Sequence, residues 1–211
     1  MASSHIALFG ATGPTGIALV QQALDQGYEV TALVRTPSKL DIKHDRLHII
    51  QGDAFNYEDV RQVVAGKEAV LSCLGTRAAD KTMVRALGTE KIIQAMEAEG
   101  VRKLITLASL GYGDSEPMMP WYMTYLIIPI ILKNAFKDHA LQEQFVEQST
   151  LDWVIARPAS LTNGAFTGHY KEGFPVTEKI KLRISRADVA HFMLAQIPSD
   201  RYLRQKVGLS Y

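Results

Sequence analysis

Short apolar runs rich in β-branched residues alternate with longer amphipathic segments along the chain. Seven runs have the pattern of strands, at residues 5–9, 29–34, 47–51, 69–74, 103–108, 152–156 and 206–209. Five segments have a helical pattern, at residues 15–26, 57–65, 81–99, 135–148 and 186–196. Such alternation is typical of βαβ units around a parallel sheet. It predicts an α/β fold of the Rossmann type, with a doubly wound, mostly parallel sheet and helices on both faces.

Specific residues mark the ends of several predicted helices. Gly27 and Gly100 stand where a left-handed glycine commonly follows a helix. Ser185 and Asp188 have the spacing of a capping box, in which a hydroxyl and a carboxylate satisfy free N–H groups at a helix start. These signals support the predicted boundaries.

The chain has 211 residues, and no linker rich in Gly, Pro or Ser divides it. A core of this size suits one domain, so we expect a single domain over residues 1–211. Its less regular parts, at about 110–134 and 158–184, follow strands. Ligands in open α/β sheets bind beyond the strands' carboxyl ends, so these segments are expected to form the substrate side.

Charge and cysteine content narrow the expected partners and compartment. With 23 Lys and Arg against 22 Asp and Glu, the chain lacks the basic excess typical of nucleic-acid binding. Its one cysteine, Cys73, lies in an apolar run and is expected to be a buried, inert thiol. The polar N-terminus resembles no signal peptide, so we expect a cytoplasmic protein. We expect a monomer or a weak homo-oligomer.

A glycine pattern directly follows the first strand and opens the first helix. Gly10, Gly13 and Gly16 are spaced G-x-x-G-x-x-G, and Thr12 and Thr15 lie between them. In this context the glycines allow a tight turn, close approach of a pyrophosphate and close packing of helix on strand. The backbone N–H groups and both hydroxyls would then bind the phosphates. The loop predicts a dinucleotide site.

The end of the second predicted strand indicates which dinucleotide is bound. An NAD-binding protein would carry Asp or Glu here for the ribose hydroxyl, whereas this chain has Arg35 and Lys39. A guanidinium can grip a 2′-phosphate through two hydrogen bonds, and lysine adds a second positive charge. We therefore predict NADPH/NADP+ as cofactor. A solvated basic turn is the alternative.

Later strand ends add further candidates for cofactor binding. Asp53 follows the third strand and could accept from the adenine amino group or cap the following turn. Gly75, Thr76 and Arg77 follow the fourth strand, where they suit the nicotinamide half or a substrate carboxylate. An ordinary strand end with a surface arginine is the alternative for those three. No metal site is predicted.

Four motifs carry a resemblance to a known family. They are IALFGATGPTG at 6–16, GYEVTALVR at 27–35, LGTR at 74–77 and DVAHFML at 188–194. With them the chain resembles the atypical, NAD(P)-binding (NmrA-like) short-chain dehydrogenases, nearest to the group of flavin reductases and biliverdin-IXβ reductases. The resemblance covers nearly the whole chain.

The resemblance implies an NADPH-dependent reductase that transfers hydride to a small planar acceptor, a flavin, bilin or quinone. Residues that match positions of this family in contact with cofactor are Thr12, Arg35, Asp53, Thr76 and Arg77. Ser109 matches the hydroxyl beside the nicotinamide, and Pro158 matches the backbone near the carboxamide. Where the vertebrate bilin reductase has a pocket histidine, this chain has Ala159, which argues against specificity for bilins.

The chemistry of the predicted site differs from that of conventional short-chain dehydrogenases. Those enzymes use Tyr-x-x-x-Lys to protonate a carbonyl, and none of Tyr122, Tyr125 and Tyr170 is followed by lysine at that spacing. His139 could supply a proton if its pKa is near neutrality, or could pair with its neighbour Asp138. Ser109 could orient water or the acceptor, or simply end a strand.

Residues 117–132 form an uncharged stretch that is strongly apolar from Trp121 onwards. It is shorter than the ~20 apolar residues of a spanning helix and contains Pro129, so no integral membrane association is expected. The stretch could cover the active site, pack into the core or contact another subunit.

Three functions remain open at this point. The first is the reductase. The second is a non-catalytic sensor or assembly factor of the NmrA-like kind, which would bind NADP(H) and contact a partner around residues 121–132. The third is an epimerase or another enzyme that uses NAD(P).

Overall fold

The computed structural model describes residues 4–76 and 80–211. Its strands are β1 (His5–Phe9), β2 (Glu29–Val34), β3 (Leu47–Gln51), β4 (Ala69–Ser72), β5 (Lys103–Leu107), β6 (Asp152–Pro158), β7 (Ser160–Thr162), β8 (Lys171–Glu172), β9 (Arg183–Ser185) and β10 (Gln205–Ser210). Its α-helices are α1 (Pro14–Asp25), α2 (Tyr57–Val64), α3 (Val84–Glu99), α4 (Lys133–Gln148) and α5 (Arg186–Ala195). Each predicted strand and helix corresponds to one of these elements.

Eight strands form one sheet in the order β3-β2-β1-β4-β5-β6-β10-β8. All neighbours are parallel except β8, which runs antiparallel to β10. The order reverses between β1 and β4, as in a doubly wound sheet. The predicted Rossmann fold is confirmed. The short strands β7, β8 and β9 are additions within residues 158–184, which the sequence predicted to be irregular.

The helices cover both faces of the sheet. Successive residues of β1 point to opposite faces: Ile6 and Leu8 pack in one apolar cluster with α1 and α5, and Ala7 and Phe9 pack in another with α2 and α3. Helix α4 packs against α3 on that second face. The two buried clusters hold the helices against the sheet, and the strand ends of this sheet carry the candidate site.

The predicted helix ends are confirmed in part. Gly27 and Gly100 have φ values of 91° and 70° and follow α1 and α3. Helix α3 begins at Val84 rather than at the predicted residue 81, because Met83 has a left-handed backbone with φ of 53°. Residues 123–132 form a π-helix that runs directly into α4, so that α4 starts two residues before its predicted start. Pro129, which has no N–H to donate, lies within this wider coil.

The start of α5 is held by Asp188 in a different way from the predicted capping box. Ser185 Oγ accepts the Asp188 N–H at 3.0 Å, as expected. The Asp188 carboxylate, however, accepts from the Thr167 N–H, the Thr167 hydroxyl, the Gly168 N–H, the Ser185 hydroxyl and the Tyr211 hydroxyl. Tyr211 Oη in turn accepts the Ser185 N–H, the role predicted for Asp188. Asp188 thus fastens residues 167–168 and Tyr211 to α5.

Candidate active site

The carboxyl ends of the central strands open into one cleft of about 1520 Å³, at the point where the strand order reverses. Thirteen predicted site residues line this cleft: Gly10, Thr12, Gly13, Thr15, Gly16, Arg35, Lys39, Asp53, Gly75, Thr76, Ser109, His139 and Pro158. Arg77 lies outside the described residues. The structure therefore brings the candidates from seven separate stretches of chain to one place.

The glycine loop is shaped by close backbone packing. Gly10 has φ of 81°, and a Cβ there would lie 2.4 Å from the carbonyl oxygen of Cys73. A Cβ on Gly16 would lie 2.2 Å from the carbonyl oxygen of Gly10. Gly13 caps α1 without any side-chain hydrogen bond, and a Cβ there would meet only the Gly10 carbonyl, at 3.4 Å. The uncapped first turn of α1 thus opens onto the cleft, which fits a bound phosphate.

Two cations lie at the end of the cleft beyond β2. Arg35 and Lys39 are exposed, and among residues 4–76 and 80–211 neither side chain forms a hydrogen bond or an ion pair. Hydrogen bonds with Thr82 hold the pKa of Asp80 below its usual range, and the charge of Arg35 contributes to this. The pair of cations is therefore available to an anionic group in the cleft.

Asp53 has a local role in the structure. Its Oδ1 accepts the N–H of Phe55 at 3.0 Å, the turn contact that was the alternative to adenine binding. Asp53 also lines the cleft, so contact with adenine stays a prediction.

Arg85 is a residue of the cleft that sequence reasoning missed. Its Nη2 lies 3.5 Å from the Thr76 carbonyl oxygen, and its Nη1 forms a 3.0 Å ion pair with Asp138. Asp138 also accepts the N–H groups of Arg85 and Ala86, which caps the start of α3. The alternative pairing of His139 with Asp138 is wrong, because Asp138 is bound to the start of α3.

His139 is buried on α4 and stacks on Tyr112, with ring centroids 6.2 Å apart. Burial, with a smaller contribution from the charge of Arg85, lowers its pKa to about 3. The expected near-neutral pKa is wrong, so this imidazole is neutral at pH 7 and holds no proton to give as a cation. Its Nδ1 is buried and has no hydrogen-bond partner among the described residues. A catalytic role for His139 stays a prediction, now as a neutral hydrogen-bonding group.

Ser109 and Pro158 lie together at the ends of β5 and β6. The Ser109 hydroxyl donates to the Leu110 carbonyl at 3.1 Å, and the Leu110 N–H donates to the Pro158 carbonyl at 2.9 Å. These contacts are those of a strand-end turn. Both residues face the cleft, and their predicted contacts with cofactor and acceptor stay predictions.

A buried ion-pair network supports the wall formed by residues 109–120. The Arg157 guanidinium binds both oxygens of Glu143 and one oxygen of Asp114, and it lies over the Tyr112 ring at 5.1 Å. The side chains of Arg157 and Glu143 are each 5% exposed. Burial alone would lower the pKa of Arg157, but its hydrogen bonds to Glu143 raise the pKa above its usual value. Sequence reasoning missed this network, since its members are far apart along the chain.

Cys73 also lines the cleft. Burial raises the pKa of its thiol to about 12, and its Sγ lies 3.8 Å from the sulfur of Met193. The expected burial of Cys73 is confirmed, and its low reactivity stays a prediction.

The chain has one Tyr-x-x-x-Lys spacing, at Tyr202 and Lys206. The prediction, which considered Tyr122, Tyr125 and Tyr170, missed this pair. Neither residue lines the cleft. Tyr202 packs against Phe192 at 6.0 Å, and Lys206 in β10 forms a 2.8 Å ion pair with Glu147. This spacing is structural and does not provide the proton donor of a conventional dehydrogenase.

Comparison with known proteins agrees with the geometry of the cleft. A family model described as NAD(P)H-binding matches residues 10–200. The oxidoreductase ptaF of Pestalotiopsis fici is 26% identical over 98% of this chain and 84% of its own. The photosystem II assembly factor Ycf39 of Synechocystis is 26% identical over 76% of this chain, which spans 46% of Ycf39.

Solved structures share the whole fold. A putative epimerase from Bacteroides thetaiotaomicron has a TM-score of 0.84 and 26% identity, with 99% of this chain and 97% of that one covered. ChuY, described as an anaerobilin reductase from Escherichia coli O157:H7, has a TM-score of 0.81 and 23% identity over 98% and 97% of the two chains.

Over residues 4–76 and 80–211, no helix is both long enough and apolar enough to cross a membrane.

Proposed function

The chain belongs to the NAD(P)H-binding family of atypical, NmrA-like short-chain dehydrogenases, and from this membership we propose an NADPH-dependent reductase that acts on a planar conjugated acceptor. The strongest support is that one cleft contains an uncapped helix start, two cations that have no partner among the described residues, and an apolar wall. The oxidoreductase ptaF, which aligns with 98% of the chain, adds support for redox chemistry.

The residues of the cleft fit the parts of the dinucleotide in order. The first turn of α1 would bind the pyrophosphate, and Arg35 with Lys39 would bind a 2′-phosphate. Gly75 and Thr76 would lie along the path towards Ser109 and Pro158 at the other end. Bound NADPH supplies a hydride to the acceptor.

The acceptor would lie against the wall made by the loop before the π-helix, the π-helix and α4. Met119, Met123, Leu132 and Phe136 line the cleft there and offer an apolar surface for a flat ring system. Neutral His139 would orient an acceptor atom through a hydrogen bond. Flavins and quinones can take their proton from water, so this wall needs no strong acid. Flavins and quinones are therefore favoured over bilins as acceptors, in line with Ala159.

Replacing Arg35 by alanine is expected to weaken binding of NADPH about 10- to 100-fold, because a charge-assisted contact with the 2′-phosphate is lost. Affinity for NADH should change less than twofold. Fluorescence titration of both nucleotides measures the two effects. Lys43→Ala removes an exposed cation that does not line the cleft and is the matched control. Equal weakening of NADPH and NADH by Arg35→Ala would contradict the assignment.

The reductase itself is tested by NADPH oxidation with FMN, riboflavin, quinones and biliverdin. We expect turnover with at least one flavin or quinone, and a reduced rate in Ser109→Ala. Absence of oxidation above the enzyme-free blank with every acceptor, despite tight binding of NADPH, would count against a reductase.

Tight binding of NADPH without oxidation would favour a non-catalytic NADP(H)-binding assembly factor. The alignment with the assembly factor Ycf39 supports this second function, and this chain covers 46% of the length of Ycf39. Such a protein would bind a partner differently in the presence of NADPH and NADP+, which a pull-down at both redox states would detect.

A further inference from the structure

The π-helix Met123–Leu132 and the two residues before it form an unusual apolar surface. Apart from Thr124, the ten residues of the helix are apolar, and none of them is buried. The six large side chains most open to solvent here are Trp121, Tyr122, Tyr125, Leu126, Ile130 and Ile131, with exposures from 47% to 74%. Contiguous apolar surface of this kind usually marks a binding site.

We propose that residues 121–137 dock the protein peripherally onto an anionic lipid membrane. The three aromatic residues Trp121, Tyr122 and Tyr125 lie at one end of the surface, and the isoleucines lie near the other. Tryptophan and tyrosine favour the boundary between headgroups and acyl chains, and isoleucine and leucine favour the acyl chains. A helix lying in the plane of the interface fits this composition.

Charge next to the surface indicates the kind of membrane. Lys133 and Lys137 are exposed at the start of α4, and in the described part of the chain neither side chain has an acidic partner. Three carboxylates lie between residues 113 and 140. Asp114 forms an ion pair with Arg157, and Asp138 forms one with Arg85, so Glu116 is the remaining negative charge near the surface. Anionic headgroups would pair with the two lysines, each such contact strengthening binding about fivefold.

A second copy of the chain suits the same surface less well. In a two-fold contact this surface would meet itself, so that lysines would face apolar side chains or other lysines. The segment from Met119 to Lys137 contains no carboxylate to pair with them. Charge complementarity therefore favours lipid.

The docked orientation would place the acceptor side of the cleft at the membrane. Tyr122, Met123 and Leu132 belong to the same segment and line the cleft. An apolar acceptor such as a lipid-soluble quinone could then enter from the acyl chains; this consequence rests on the proposed function, whereas docking does not.

Docking can be measured with the full chain and vesicles, without any assay of activity. The probes are two kinds of vesicle. One contains phosphatidylcholine alone, and the other contains phosphatidylcholine with roughly 30 mol% of the anionic lipid phosphatidylglycerol. We expect co-sedimentation with the anionic vesicles, weakened by high salt. The chain has two tryptophans, and Trp153 is buried, so a blue shift of emission on binding reports on Trp121.

Two variants separate the apolar and the charged contributions. Ile130→Glu should abolish co-sedimentation, whereas Leu87→Glu places the same charge on an exposed apolar residue of α3 and should leave it unchanged. Lys133→Glu/Lys137→Glu should weaken binding at least about tenfold. Lys43→Glu/Lys91→Glu makes the same change in net charge elsewhere and should weaken it much less. Circular dichroism and NADPH binding check that each variant is folded.

Three results would overturn the proposal. One is absence of binding to anionic vesicles. Another is equal loss of binding in the test and control variants. The third is a dimer, detected by light scattering, that Ile130→Glu converts to a monomer while neither form binds vesicles. That result would assign the surface to contact with a second copy of the chain. Each of these leaves the reductase proposal standing, because NADPH oxidation with water-soluble acceptors does not depend on docking.

Discussion

Replacing Arg157 by methionine is expected to destabilise the protein by about 3–5 kcal/mol, because Glu143 then remains buried without its cation. Loss of the guanidinium also frees Asp114 and Tyr112, which belong to the wall of the cleft. Urea unfolding at pH 7 measures the change. Arg102→Met is the matched control, since Arg102 binds both oxygens of Asp152 in the same two-pronged way on the surface. We expect a much smaller effect there.

The double variant Arg157→Met/Glu143→Leu should recover most of the lost stability, because neither charge is then left in the interior. Equal losses for Arg157→Met and Arg102→Met would contradict this account.

Replacing Asp188 by alanine should cost on the order of 3 kcal/mol, because several donors lose their shared acceptor. The donors come from Thr167, Gly168, Ser185 and Tyr211, so the excursion from β7 to β9 should loosen with α5. Thermal unfolding measures the loss. Increased hydrogen exchange confined to these segments would support the mechanism, whereas uniform exchange would contradict it.

The pH dependence of this effect has a defined sign. Burial alone would raise the pKa of Asp188, but hydrogen bonds from Tyr211, Thr167 and Gly168 hold it below its usual range. The stability that depends on the carboxylate is complete above about pH 4 and is lost as the pH falls through the depressed pKa. The difference in stability between wild type and Asp188→Asn should therefore shrink in acid. A constant difference down to pH 2 would show that ionisation does not matter.

The sequence predicts the sheet and the nucleotide loop well because both depend on local rules. Buried parallel strands are short apolar runs, and the glycines of the loop are needed where Gly10 and Gly16 touch backbone. The same rules place candidate residues at strand ends, which meet at one edge of a parallel sheet. The cleft gathers thirteen of them for that reason.

Features that depend on contacts distant in sequence were missed. Arg85 pairs with Asp138 across 53 residues, and Arg157 pairs with Asp114 across 43. The low pKa of His139 results from burial of its ring on α4 beside Tyr112. The sequence alone does not show that this side chain is buried. Strands β7, β8 and β9 are two or three residues long and lack an apolar pattern, so their pairing is set by their neighbours.

The short antiparallel strand β8 has a consequence for aggregation. Strand β10 would otherwise present open N–H and C=O groups to other molecules, and unpaired edges of sheets recruit further strands. Lys171 and Glu172 pair with Ser210 and Leu209, and the next N–H, from Gly173, donates to Gly208. With charged side chains and only two residues, β8 is itself a poor template for another strand. Deleting it should make concentrated protein prone to form β-rich aggregates, even if the nucleotide loop at the other side of the sheet still folds.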